Sequence, residues 1–409
     1  MKLPFRSRKA DDHAVAQHLQ AEVPQNSYYE RISERLGILQ VILYLSLLAF
    51  VVLSFFANTN LITYQNFYHF FKDLNASAET VNVLDTDSVS YPMDEEQSFV
   101  LYRKGLAIAG NNNVTVFTAA GRQTVSKAIS YQNPLAVGSG KYLLVYELGG
   151  KQYSIYNSYT QVFSGESEYP INGAAVSDSG MYALISSSAE FTSVVSLYND
   201  RFALINRYNK NGYVMDVAIN GAGSLIGILT SMSEDGLFST NLMICEPGKS
   251  TARADVTVSR SLGWSCDFTD DGIFAVICGN EISFVGSDGK LKYAHAFDGY
   301  KLFCADCDQS GSVLYLQSPE TDGKGLIWAF DKSGKSIYRQ STEHKVKQIA
   351  KSGNAVYLLA TSGVERLLLK SGDRQFMEIN TDQRTLLVVN EREFLLCSSK
   401  KAQYLQMKS

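Results

Sequence analysis

The chain has 409 residues, a formal net charge of -4 and 45% hydrophobic residues. So weak a charge, with no acidic or basic face visible in the sequence, argues against nucleic acid as a partner. The composition describes an ordinary globular domain with one added apolar span.

Residues 1–35 are mixed in charge from Lys2 to Asp12 and poor in large apolar groups. They cannot bury a core and read as a cytoplasmic tail, with a helix starting near Ser27 and running on into an apolar stretch. From Leu36 to Ala57 there are 22 positions without a charged residue. At about 1.5 Å per residue this stretch crosses a bilayer's hydrocarbon core, so it reads as a transmembrane helix. Lys2, Arg6, Arg8, Lys9, Arg31 and Arg35 precede it, whereas Lys72 is the sole basic residue close behind it. Basic flanks stay on the cytoplasmic side, which predicts a single-pass cell-membrane protein with its amino-terminus inside and its carboxy-terminal domain outside. A cleaved signal peptide has a shorter apolar region nearer the start, so the span reads as an uncleaved signal anchor.

Residues 58–78 read as a juxtamembrane amphipathic helix and linker. Tyr64, Phe67, Tyr68, Phe71 and Leu74 fall at helical spacing on one face, with Gln65, Asn66, His69, Lys72 and Asp73 opposite. Aromatic residues at this density suit the bilayer interface; docking on the β-domain is the alternative.

From residue 79 to 409 the pattern changes to strands. A strand ending in small or polar residues, a turn centred on Gly and an immediate apolar strand recur about Gly140, Gly180, Gly223, Gly272, Gly311 and Gly353. These turn glycines are 40, 43, 49, 39 and 42 residues apart. A period near 40 made of short strands is the signature of β-propeller blades. A second series of turns, at Gly121, Gly289, Gly334 and Gly372, separates further pairs of strand-like runs, as hairpins do. Each blade is then four antiparallel strands.

Degenerate copies lie at Phe99–Ala109, with its turn at Gly105, about one period before the first clear repeat, and at Leu386–Cys397, about one period after the last. The fold class is therefore all-β, a β-propeller of eight blades with seven as the alternative, behind an N-terminal transmembrane helix. The last unit has room for three strands only. Residues 79–85, Glu-Thr-Val-Asn-Val-Leu-Asp, are expected to supply its fourth and close the ring, which removes a sheet edge.

The run Ile327-Trp-Ala-Phe-Asp-Lys-Ser-Gly334-Lys-Ser-Ile-Tyr resembles the strand, turn and strand of quinoprotein-type repeats, and the general plan resembles WD40-like propellers. The whole chain is similar to an uncharacterised family of single-pass, membrane-anchored proteins of Gram-positive bacteria. That resemblance implies a fold and a location and carries no activity. The Trp-Asp pair of WD40 blades is missing, and Trp264 and Trp328 are the chain's two tryptophans.

An enzyme is not expected. His69, His295 and His344 are the histidines on the outer side, and none sits in a nucleophile, zinc or phosphate-loop motif. Neither a cofactor nor a metal is expected. Cys304-Ala-Asp-Cys307 lies in a strand, where residues three apart point to opposite faces, so it reads as two small packed side chains rather than a redox or zinc pair. Cys266 and Cys278 are each six residues from Gly272, and a cross-strand disulfide between them is the alternative to two free thiols. Asp306–Gly311 and Thr269–Gly272 read as turns, because a calcium site needs roughly six to eight oxygens that these segments lack. Ser231–Gly236 and Ser318–Lys324 read as longer loops between second and third strands, on one face of the ring, and loops on a rigid scaffold commonly carry binding.

These readings give a membrane-anchored extracytoplasmic scaffold that binds a protein or polymer of the cell envelope. The alternative is a ligand sensor relaying through the span to a cytoplasmic partner.

Overall fold

Short apolar runs, each bounded by Gly, Asp, Asn or Ser, form strands that bury both faces. A computed structural model describes residues 27–57, 88–270, 272–320, 325–379, 383 and 385–407, with helix side chains at 35–50 and 52. The chain divides into two units, Met1–Phe70 and Phe71–Ser409.

In the first unit one α-helix, Ser27–Ala57, runs for 31 residues. Its described apolar side chains, among them Leu36, Leu39, Leu43, Leu47 and Phe50, are exposed. Among the described residues no helix is long and apolar enough to cross a membrane. The helix expected in 58–78 and the strand expected at 79–85 lie outside the described residues.

The second unit is an eight-bladed β-propeller of eight four-stranded antiparallel sheets. Blades 1 to 7 use consecutive strands, within 97–128, 134–166, 171–210, 213–259, 263–296, 301–342 and 346–378. Blade 8 combines Thr385–Val388, Glu393–Cys397 and Lys401–Gln406 with Ser88–Ser90. Ser88 pairs with Gln403, Val89 with Ala402 and Ser90 with Lys401. Closure from the chain's start is thus as expected, but the closing strand is Ser88–Ser90. The first strands of neighbouring blades pack on each other all round, Gln97–Tyr102 against Thr385–Val388 included, so first strands line the central channel.

The core lies between blades. Along Gly311–Gln317, Val313 and Tyr315 pack toward blade 7 with Val356 and Leu358, while Leu314 and Leu316 pack toward blade 5 with Ala275 and Phe284. Alternate residues serve opposite interfaces, so middle strands are apolar at most successive positions, as Ala355–Ala360 is throughout. Each fully buried Leu, Val or Phe contributes about 1.5–3 kcal/mol of transfer free energy.

Register decides between the cysteine alternatives and corrects one loop. Cys266 faces Val276 and Cys278 faces Gly263, because the hairpin closes on Asp270 and Ile273 rather than about Gly272 and a bulge between Phe268 and Asp270 shifts the pairing further; the two thiols are not opposite and all six cysteines are free. Ser231–Gly236 is mostly strand: Ile226–Glu234 pairs with Leu237–Cys245 to the last residue, leaving Asp235 and Gly236 as the turn. Of the repeat glycines, Gly180, Gly223, Gly311 and Gly353 have positive φ.

Candidate interaction face

The ring has two faces. The hairpins joining first to second and third to fourth strands lie on one; the hairpins joining second to third strands, and the blade-to-blade connections, lie on the other. On the latter face the first strand of five consecutive blades carries a β-bulge just after it starts, at Asn172, Met215, Trp264, Phe303 and Lys347. A bulge leaves one residue unpaired and re-aims its side chain. Four of the five are exposed at the channel rim and Met215 is half-buried.

Blade 4 rises above its neighbours here. Its second and third strands have nine residues each, against five to seven in the other blades. Asp235 and Gly236 at the tip have φ of 50° and 79°, the paired positive values of the hairpin turn that matches strand twist. The extension exposes Met232, Leu237 and Phe238, Leu237 to 76%. Tyr213, at 69%, Leu262, Trp264, at 56%, and Phe303 stand exposed on the same face in blades 4 to 6. Exposed large apolar residues also occur elsewhere on the propeller, Leu291 and Tyr293 on one strand among them, but seven stand on this face of blades 4 to 6, and such a concentration marks an interaction site.

Hydroxyls hold the hairpin's base to the next blade. Ser231 Oγ and Thr240 Oγ1 are 2.8 Å apart. The Gly263 N–H donates to Ser231 Oγ at 2.9 Å, and Thr240 Oγ1 donates to the Ser261 carbonyl at 2.7 Å. Ser231 and Thr240 are buried, so these bonds fix the hairpin beside the start of blade 5, where an unmade one would leave a costly buried group.

Below the rim, first strands of blades 4 to 6 carry Asp216, Asp267 and Asp306. Asp216 accepts the Cys266 N–H of blade 5 at 3.0 Å, and Asp306 accepts the Lys351 N–H of blade 7 at 2.7 Å. These are blade-to-blade staples. Asp267 holds the position in blade 5 that Asp306 holds in blade 6, yet it accepts from Phe268 of its own strand, at 2.7 Å. It is exposed to the channel but ringed by protein. That restricted hydration, with the charges of Asp216, Asp306 and Asp308, pushes its carboxyl up to about 7. Burial likewise raises Asp306 to about 6 against the N–H bonds from Lys351 and Cys307, and raises Asp216 against those from Cys266 and Val217. Burial also acts on Asp308, but Lys351 and Ser310 outweigh it and hold that carboxyl below its usual value.

Most residues noted in the sequence are not brought together. His295, on the outer strand of blade 5, donates from Nε2 to the Gly334 carbonyl at 2.9 Å, and His344 stacks on Phe376; His69 lies outside the described residues. Cys304 packs toward blade 7 and Cys307 toward blade 5, opposite faces of one strand. Burial pushes the Cys304 thiol up to about 12, so neither pairing nor thiolate chemistry is set up. Asp308 closes its turn on Ser310 N–H at 2.8 Å. Among the described residues no three His, Cys, Asp or Glu side chains are grouped to hold a metal ion. The bulged rim escaped the sequence reading. Trp264, one of two tryptophans, was its available signal.

Solved propellers share this fold at low identity. Sqt1 of Saccharomyces cerevisiae matches with a TM-score of 0.58 and 8% identity, over 78% of this chain and 98% of that one. Sqt1 of Chaetomium thermophilum, bound to the N-terminus of the ribosomal protein L10, matches with 0.55 and 12%, over 79% and 100%. BamB of Moraxella catarrhalis matches with 0.52 and 11%, over 79% and 99%. No curated protein matches the chain. Residues 76–407 match a family described as a family of unknown function, DUF5711.

Proposed function

We propose for this chain, which belongs to the DUF5711 family of unknown function, the role of a membrane-anchored scaffold whose propeller binds a protein of the cell envelope through the bulged face of blades 4 to 6. The exposed side chains of Leu237, Phe238, Trp264 and Phe303 on this face carry the reading, because large apolar groups facing water gain by being covered. They sit on a hydroxyl-braced hairpin and on strands rather than on loose loops, which lowers the ordering cost of binding. The likeness to Sqt1, bound in its own structure to a segment of a ribosomal protein, is a precedent for the architecture alone.

The anchor rests on the 22 uncharged positions from Leu36 to Ala57 and on the basic residues before them, which together favour a span with the propeller outside.

A photo-crosslinking amino acid at Leu237, compared with one at the exposed Ser371 on the opposite face, tests the reading in intact cells. A discrete crosslinked protein at Leu237 and none at Ser371 is the expected result. Equal or absent crosslinking at the two positions overturns it.

A further inference from the structure

We propose that the rim of blades 4 to 6 takes a protein segment in which a lysine or arginine is flanked by large apolar side chains, the cation reaching Asp267 while the apolar groups cover Trp264 and Phe303. This rests on the preceding reading of the face and adds the chemistry of the partner.

Charge is the argument for the occupant. Asp216 and Asp306 are engaged by backbone N–H groups of the next blade; Asp267 has no such staple and opens into the channel. The nearest buried ammonium is committed elsewhere. Lys351 Nζ is 2.6 Å from Asp308 and 3.0 Å from the Gly353 carbonyl, and also meets Ser310. Lys301 and Lys347 are exposed at strand starts on this rim, and among the described residues neither forms an ion pair with Asp267. Asp267 therefore stands among the carboxylates of Asp216, Asp306 and Asp308, beneath the exposed Trp264 and Phe303.

Geometry selects the length of the visiting side chain. Trp264 and Asp267 are three residues apart on one strand, about 10 Å, so a group anchored at the rim must be long to arrive. Lysine and arginine combine that length with an apolar stem that lies along Trp264 and Phe303. An arginine also stacks on indole, as Arg339 does 4.1 Å over Trp328 elsewhere in this propeller. Glu234 and Asp235 at the hairpin tip add negative charge beside the exposed apolar groups, which favours a basic protein segment over an anionic bilayer surface.

Random peptides displayed on phage and selected on the full chain in nanodiscs test this. Selected peptides should carry Lys or Arg between large apolar residues. Their affinity should fall about tenfold with Asp267→Asn, recover in part with Asp267→Glu, and fall with Trp264→Ala; thermal melts of each variant confirm folding. Peptides that depend on Trp264 but show no basic preference overturn the proposed partner chemistry and leave the interaction face standing. Peptides indifferent to both substitutions overturn the two readings together. Self-association of the chain that Trp264→Ala abolishes makes a second copy the occupant and overturns the basic segment.

Discussion

Lys351 Nζ lies 2.6 Å from Asp308 Oδ1, and its side chain is only 1% exposed. The pair joins the first strands of blades 6 and 7, with the Gly353 N–H donating to the second Asp308 oxygen at 2.8 Å. Asp308→Asn leaves a buried ammonium without its countercharge. The expected cost is about 3–5 kcal/mol of unfolding free energy in urea titrations. Because the folded state holds the Asp308 carboxyl below its usual value, its stabilisation is present above the unfolded value and lost as pH falls through the folded one. The gap between wild type and Asp308→Asn should close in acid.

Asp267 gives the opposite sign. Its carboxyl is raised to about 7, so the folded protein holds a proton that the unfolded chain has already released. Stability then falls as pH rises from the usual aspartate value toward 7, and stays reduced above it. Asp267→Asn removes this slope. Melting temperatures of the two proteins should agree near pH 4 and diverge, with the variant higher, up to about pH 7. Parallel curves over that range would show that the carboxyl is hydrated as in water.

The blades were legible because their hairpins announce themselves locally: Gly180 and Gly311 need positive φ, and the apolar runs beside them are complete strands. The closing strand was not. Ser88–Ser90 has three residues and gains its place from Lys401–Gln406 at the far end of the chain. The bulges at Trp264 and Phe303 add one residue to a strand and leave no mark on composition. Asp216 and Asp306 acquire their roles from N–H groups 50 and 45 residues later, a separation at which sequence shows no partner. The proposed binding face is assembled by the packing of blades 4 to 6 against one another, which explains why the fold was read and the face was not.

The cysteine register predicts a simple titration. Cys266 lies opposite Val276 rather than Cys278, and all six thiols are free. Burial pushes Cys278 and Cys397 up to about 12 and Cys245 up to about 11. Native protein should react slowly with maleimide, since thiolate is the reactive form. Denaturation without reductant should release six equivalents. Four would establish a disulfide.

The proposed placement of the propeller outside the membrane rests on a charge count, which makes it testable by reversal. Arg31 and Arg35 sit immediately before the uncharged stretch and Lys72 alone lies close behind it, flanks that in a spanning helix would retain the amino-terminus inside. In wall-stripped cells a carboxy-terminal epitope tag should be lost to added protease while a cytoplasmic control survives. A tightly closed propeller can resist cleavage, so antibody access to the tag in unbroken cells supplies the second readout. Replacing Arg31 and Arg35 by Glu, with Lys2, Arg6, Arg8 and Lys9 also neutralised, should protect the tag in a measurable fraction of molecules. A tag inaccessible in the wild type to both reagents until lysis would place the propeller inside, and the partner of its apolar face would then be cytoplasmic.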